Sequence, residues 1–149
     1  MLLTDPLCHT ASTAIDASTD AVFRFLSNPS QLGTWTFGSW ETRAIGDGLV
    51  EGTSLFDGGR TLVRIVPIAE NGCIDYQVGR DPSRMITRIS ARVLDGHLMG
   101  GEKGTAFVTM TSWRTRDISD HQWRLICSAH EVEVFRLRHV VQASLAAKT

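Results

Sequence analysis

The sequence lacks most of the features that announce a nucleic-acid, membrane or disulfide-framed protein. Its formal net charge is −1, so no basic stripe offers itself to a phosphate backbone and no polybasic patch to an anionic membrane. No apolar run approaches the ~18–20 residues of a membrane span. The opening Met1-Leu2-Leu3-Thr4-Asp5-Pro6 is too short and too acidic for a signal peptide, so a cytoplasmic location is expected. Cysteine is scarce: Cys8, Cys73 and Cys127 are odd in number, far apart and without a Cys-x-x-Cys pair. That argues against a disulfide framework or a zinc site and for ordinary packed thiols.

The familiar catalytic and cofactor motifs are missing too. Gly100-Gly101-Glu102-Lys103-Gly104-Thr105 puts a lysine in a glycine-rich turn, but it lacks phosphate-loop spacing and precedes a strand. His130-Glu131-Val132-Glu133-Val134 has Val where a zinc-protease helix needs its second His. Glu131 and Glu133 are expected at the surface, opposite Arg136 or Arg138. No Gly-x-Ser-x-Gly elbow exists, and Ser54 has no evident partner base. His9, His97, His121 and His139 are scattered without metal spacing. No cofactor is expected, and no internal repeat or low-complexity segment is visible.

What is present is an ordinary globular composition, 42% hydrophobic and 21% charged over 149 residues, enough for one domain, 1–149, with one core. Cys8–Asp16 reads as a strand. Ser18 or Thr19 then caps a short helix bearing Val22, Phe23, Phe25 and Leu26, interrupted at Asn28-Pro29-Ser30. Pro29 suits the first turn of a second small helix, ended by Gly33. Strands follow at Phe37–Ile45, Gly52–Phe56, Arg60–Val66, Cys73–Val78, Ile86–Leu94 and Thr105–Arg114. Turn signals at Asp47-Gly48, Asp57-Gly58-Gly59 and Asn71-Gly72 lie between them. The connections Gly79–Met85 and Asp95–Gly104 are longer and are expected to flank a binding mouth.

From Ser119 to Ala147 there is neither Gly nor Pro. Ser119 caps this stretch, and Trp123, Cys127, His130, Val134, Leu137 and Val141 recur every three or four residues, one face of a helix. At ~1.5 Å per residue it spans roughly 40 Å, so its stripe needs a broad partner. Consecutive hairpins make an antiparallel sheet, and a twisted sheet of seven strands curls. The fold expected is α+β: a curved seven-stranded antiparallel sheet wrapped round a long C-terminal helix, with two short helices after strand one.

The stretch Ile15-Asp16-Ala17-Ser18-Thr19-Asp20-Ala21-Val22-Phe23, with Leu26-Ser27-Asn28 and Trp35, resembles the START/Bet v 1-like helix-grip (SRPBCC) superfamily. Within it, the polyketide cyclase/dehydratase branch is the most similar. Ala17-Ser18 stands where that family has alanine-proline. The resemblance implies an apolar cavity between sheet and long helix, and a small, largely apolar ligand, polycyclic or polyketide-like in that branch.

Strand alternation proposes the lining. Ile74, Tyr76 and Val78 share one face; so do Ile89, Ala91 and Val93, with Arg88 and Arg92 outside. In Arg60–Val66 both parities are partly apolar; Val63 and Ile65 are taken as inward, with Arg64 outward. Phe107, Thr109, Thr111 and Trp113 are taken as the inner set of the last strand over Val108 and Met110. Trp35, Trp40, Trp113 and Trp123 offer flat walls, or simply core packing, and Cys127 lies on the helix stripe. His130, mid-stripe, is the candidate general acid or base, the plain alternative being a packed histidine. Tyr76 is the second catalytic candidate, its phenol able to orient a carbonyl, with a satisfied core tyrosine as the alternative.

Two readings stand. One is an enzyme that cyclises or dehydrates a bound molecule by acid–base steering. The other is a non-catalytic carrier or sensor of a lipid or other hydrophobic ligand. Both expect a small apolar partner, no nucleic acid, no membrane insertion, and a monomer or homodimer.

Overall fold

The computed structural model describes residues 6–148, so the acidic opening segment lies outside the described residues. Strand β1 (Cys8–Ile15) leads into helix α1 (Thr19–Ser27). The Ser18 side chain accepts from the Ala21 amide at 3.2 Å and caps α1. A turn of 3₁₀ helix over Pro29–Gln31 runs into α2 (Leu32–Trp35). Gly33 does not end this helix. It sits inside it, at a position where a Cβ would collide with the Thr42 hydroxyl of the next strand.

Strands β2 (Trp40–Gly46), β3 (Leu49–Thr53), β4 (Arg60–Ile68), β5 (Cys73–Gly79), β6 (Ile86–Asp95) and β7 (Ala106–Trp113) follow, then α3 (Asp120–Ala146). The β2–β3 turn places Asp47 at φ 53° and Gly48 at φ 71°, the left-handed pair that matches hairpin twist. All neighbours pair antiparallel, in the order β1-β7-β6-β5-β4-β3-β2. A capping box of Ser119 and Gln122 starts α3. Its buried stripe of Trp123, His130, Glu133, Val134, Leu137 and Val141 packs on the sheet, chiefly β1, and on α2.

Register decides which way β7 faces. Ala91 pairs with Met110 and Val93 with Val108, and directly opposed residues share a face. Ala91 and Val93 are buried, so Ala106, Val108, Met110 and Ser112 face the core with them. Thr109, Thr111 and Trp113 therefore lie on the outer face. Thr111 bonds the Thr10 hydroxyl there, and Trp113 is exposed. These three are not cavity residues.

A second departure is a β-bulge. Tyr76 pairs with Ile89 but Gln77 with Thr87, so Arg88 has no residue opposite it on β5. The extra residue breaks the alternation, and Arg88 and Ile89 both reach the concave face.

Candidate functional site

Between the concave sheet, α2 and the middle of α3 lies a cavity of about 480 Å³, within the range that holds a drug-sized molecule. Leu32, Trp35, Val63, Tyr76, Val78 and Met110 supply apolar walls. The cavity reaches the surface between exposed residues of three connections: Asp57 after β3, Arg80 and Arg84 after β5, and Asp117 after β7. Nothing from the Asp95–Gly104 connection lines it. Successive hairpins of an antiparallel meander turn at opposite ends of the sheet, so 79–85 and 95–104 cannot flank one mouth.

Among the expected lining residues, Trp35, Val63, Tyr76, Val78, Ile89 and His130 meet in this cavity. Ile65 and Ala91 are buried but belong to the solid core. Trp40 is exposed on the edge strand β2. Trp123 is buried and uses its indole N–H on the Pro6 carbonyl, 2.7 Å away, which ties the incoming chain to α3. Cys127 is half-buried and outside the lining; burial and the nearby Glu131 push its thiol pKa up.

The ring of Tyr76 is a wall, set edge-on against Trp35 at 5.9 Å between centroids. Its hydroxyl donates to the Leu26 carbonyl at 2.8 Å, and burial raises its pKa further. The proton is committed to α1, so Tyr76 is the satisfied core tyrosine, a tether rather than a phenol free to orient a carbonyl.

His130 is buried and faces the cavity. Burial, reinforced by the neighbouring His9, lowers its pKa to about 4, with Glu131 opposing. Its Nδ1 lies 2.8 Å from His9 Nδ1, and His9 Nε2 lies 3.2 Å from Glu131 Oε1. The order carboxylate, imidazole, imidazole sets a tautomer. A His9 with one proton places it on Nε2, against the carboxylate. His130 must then donate from Nδ1, which leaves Nε2 as a lone pair. That Nε2 is buried and has no protein partner.

Glu133 is the functional candidate that sequence reasoning misplaced. It is buried rather than paired at the surface. Its Oε1 accepts from the backbone amides of Phe37 (2.6 Å) and Gly38 (3.1 Å). Arg136, its expected partner, instead donates to the Thr34 carbonyl and lies over the Phe37 ring. Burial raises the Glu133 pKa to about 7, against the pull of the two amides. The available signal was its spacing, three residues after His130 and four before Leu137, both on the stripe.

Trp35 Nε1, Ser39 Oγ, Ser112 Oγ and Arg88 Nε are likewise buried without a protein partner, and each belongs to a lining residue. The cavity is thus apolar in its walls and studded with free hydrogen-bonding groups. Among the described residues no cluster of His, Cys, Asp and Glu is arranged to hold a metal, and no helix is long and apolar enough to cross a membrane.

No protein-family model and no curated protein matches the sequence. Solved structures do. A START superfamily protein from Mycobacterium smegmatis superposes with a TM-score of 0.66 at 9% identity, covering 92% of this chain and 98% of its own. The Aha1 protein of Colwellia psychrerythraea, described as a dimer, gives 0.63 at 16%, covering 91% and 96%. DynU16, from the dynemicin biosynthetic locus, gives 0.60 at 14%, covering 95% of this chain and 49% of its own. At such identities the likeness is one of fold: the chain is built as a START-type helix-grip structure.

Proposed function

We propose that residues 1–149 act as one domain that binds a small, largely apolar molecule in this cavity and moves protons on it. The observation that carries the reading is the pair Glu133 and His130. Two titratable groups one turn apart on α3 face one cavity, and burial pushes their pKa values in opposite directions, to about 7 and about 4. Such a split assigns an acid and a base. Near neutral pH His130 is an uncharged base, and Glu133 holds its proton in a substantial fraction of molecules.

Dehydration of a β-hydroxy carbonyl compound uses both. The proton α to the carbonyl passes to His130 Nε2. The hydroxyl leaves as water with the proton of Glu133, and a carbon–carbon double bond forms. Proton return through solvent restores the pair, and His9 with exposed Glu131 connects His130 outward. The polyketide cyclase/dehydratase resemblance of Ile15–Phe23, and the fold shared with a protein of a biosynthetic locus, support this chemistry.

Native mass spectrometry of the purified protein tests the reading. A co-purified small molecule, incubated on the protein in heavy water, exchanges its α-hydrogen in wild type and ~10²–10⁴-fold more slowly in His130→Gln, as for loss of a general base. A bound molecule that neither exchanges nor turns over identifies the carrier instead.

A further inference from the structure

The bulge that turns Arg88 into the cavity leaves a cation there without an ion-pair partner among the described residues. Its guanidinium makes no hydrogen bond and no ion pair among the described residues, and its Nε is fully buried. Desolvation lowers its pKa, opposed by the charge of Asp117. That carboxylate lies beyond ion-pair distance and is held by the Thr115 hydroxyl. Arg80, at the same mouth, is already paired with Asp57. Arg84 lines the mouth and its side chain has no partner among the described residues. A half-buried charge with no partner is costly. It is a poor way to build a wall and a good way to receive an anion, since the planar fork of arginine matches a carboxylate or sulfonate.

We propose that Arg88, assisted by Arg84, is the anion subsite of the cavity and that the ligand is an organic acid. Its acidic group is held at Arg88, and its apolar body lies against Trp35, Val63, Val78 and Met110. This rests on the cavity-binding reading above and adds the substrate class. It is independent of whether any proton is transferred.

Two fluorescent probes with the same body separate the claims. 1-Anilinonaphthalene-8-sulfonate carries an anion; N-phenyl-1-naphthylamine does not. Wild type should bind the sulfonate at least ~10-fold more tightly, with a preference that shrinks as salt rises. Arg88→Gln should weaken the sulfonate ~10-fold or more and leave the neutral probe within about twofold. Arg88→Lys, which keeps the charge, should retain part of the preference. Arg92→Gln, on the exposed face of β6, should change neither. Decanoate should displace the sulfonate probe from wild type better than decanol does. A wild type that binds both probes equally, or an Arg88→Gln that weakens both equally or neither, overturns the anion subsite while leaving the cavity reading intact. Binding of neither probe by wild type overturns both.

Discussion

His9 Nδ1 and His130 Nδ1 meet at 2.8 Å, one residue on the edge strand β1 and the other in the middle of α3. One of the two must donate. Glu131, on the far side of His9, accepts a hydrogen bond from His9 Nε2–H and so makes His130 the donor to His9 Nδ1. An edge strand thereby dictates that His130 presents a lone pair to the cavity.

This tautomer is measurable. Nitrogen-15 chemical shifts at pH 7 should show His130 protonated at Nδ1. In His9→Ala the ring should pass to the Nε2–H form, and its pKa should rise, because both the burial and the His9 charge that lower it are reduced. An unchanged tautomer and pKa would show that the pair is incidental.

Glu133 makes stability fall with pH. Its folded pKa of about 7 lies above the ordinary 4.5. The folded chain keeps a proton that the unfolded chain releases. That stabilisation is complete below 4.5 and is lost as pH rises through about 7. Glu133→Gln removes the dependence while still accepting from Phe37 and Gly38. The melting temperature of the variant minus that of wild type should grow by several degrees between pH 4.5 and 8, given ~2–4 °C per kcal/mol for a chain of this size. His130 has the opposite sign. Its contribution is complete above 6.5 and lost as pH falls through about 4, so His130→Gln should narrow the gap to wild type in acid.

Tyr76→Phe separates tether from catalyst. It removes the bond to the Leu26 carbonyl and should cost about 1–3 kcal/mol of stability, the penalty for leaving a buried acceptor unmet. Binding of N-phenyl-1-naphthylamine should stay within about threefold. A large loss of affinity with no loss of stability would return Tyr76 to the binding machinery.

Anion binding should respond to Glu133 as well. The charged and titratable groups facing the cavity are Arg80 with Asp57, Tyr76, Arg84, Arg88, Asp117, His130 and Glu133; of these, Glu133 is the one pushed to about 7. Its ionisation adds a negative charge beside the ligand. Affinity for the sulfonate probe should therefore drop as pH rises from 6 to 8 in wild type, and stay level in Glu133→Gln.

Much of this was legible in the residues. The cap at Ser18, the interruption at Asn28-Pro29, the hairpin glycines and the unbroken stripe after Ser119 act locally, and they set the elements to within a few residues. The faces of Ile74, Tyr76 and Val78 were legible because their alternates, Asp75 and Gln77, are polar. β7 was not: Phe107 and Trp113 compete with Val108 and Met110 for the core, and only pairing with β6 decides. Arg88 was illegible for a related reason, since a bulge is a property of two strands together. Glu133 looked like a surface charge because arginines follow it. Its burial depends on amides from a loop distant in sequence.

The most direct test of the acid–base account is a titration of the two groups themselves, by carbon-13 resonance of the Glu133 carboxyl and nitrogen-15 resonance of the His130 ring. The account predicts midpoints near 7 for Glu133 and near 4 for His130, so that at pH 5.5 both are uncharged in one cavity. Midpoints near 4.5 and 6.5, with Glu133 ionised and His130 protonated in the same range, would contradict it.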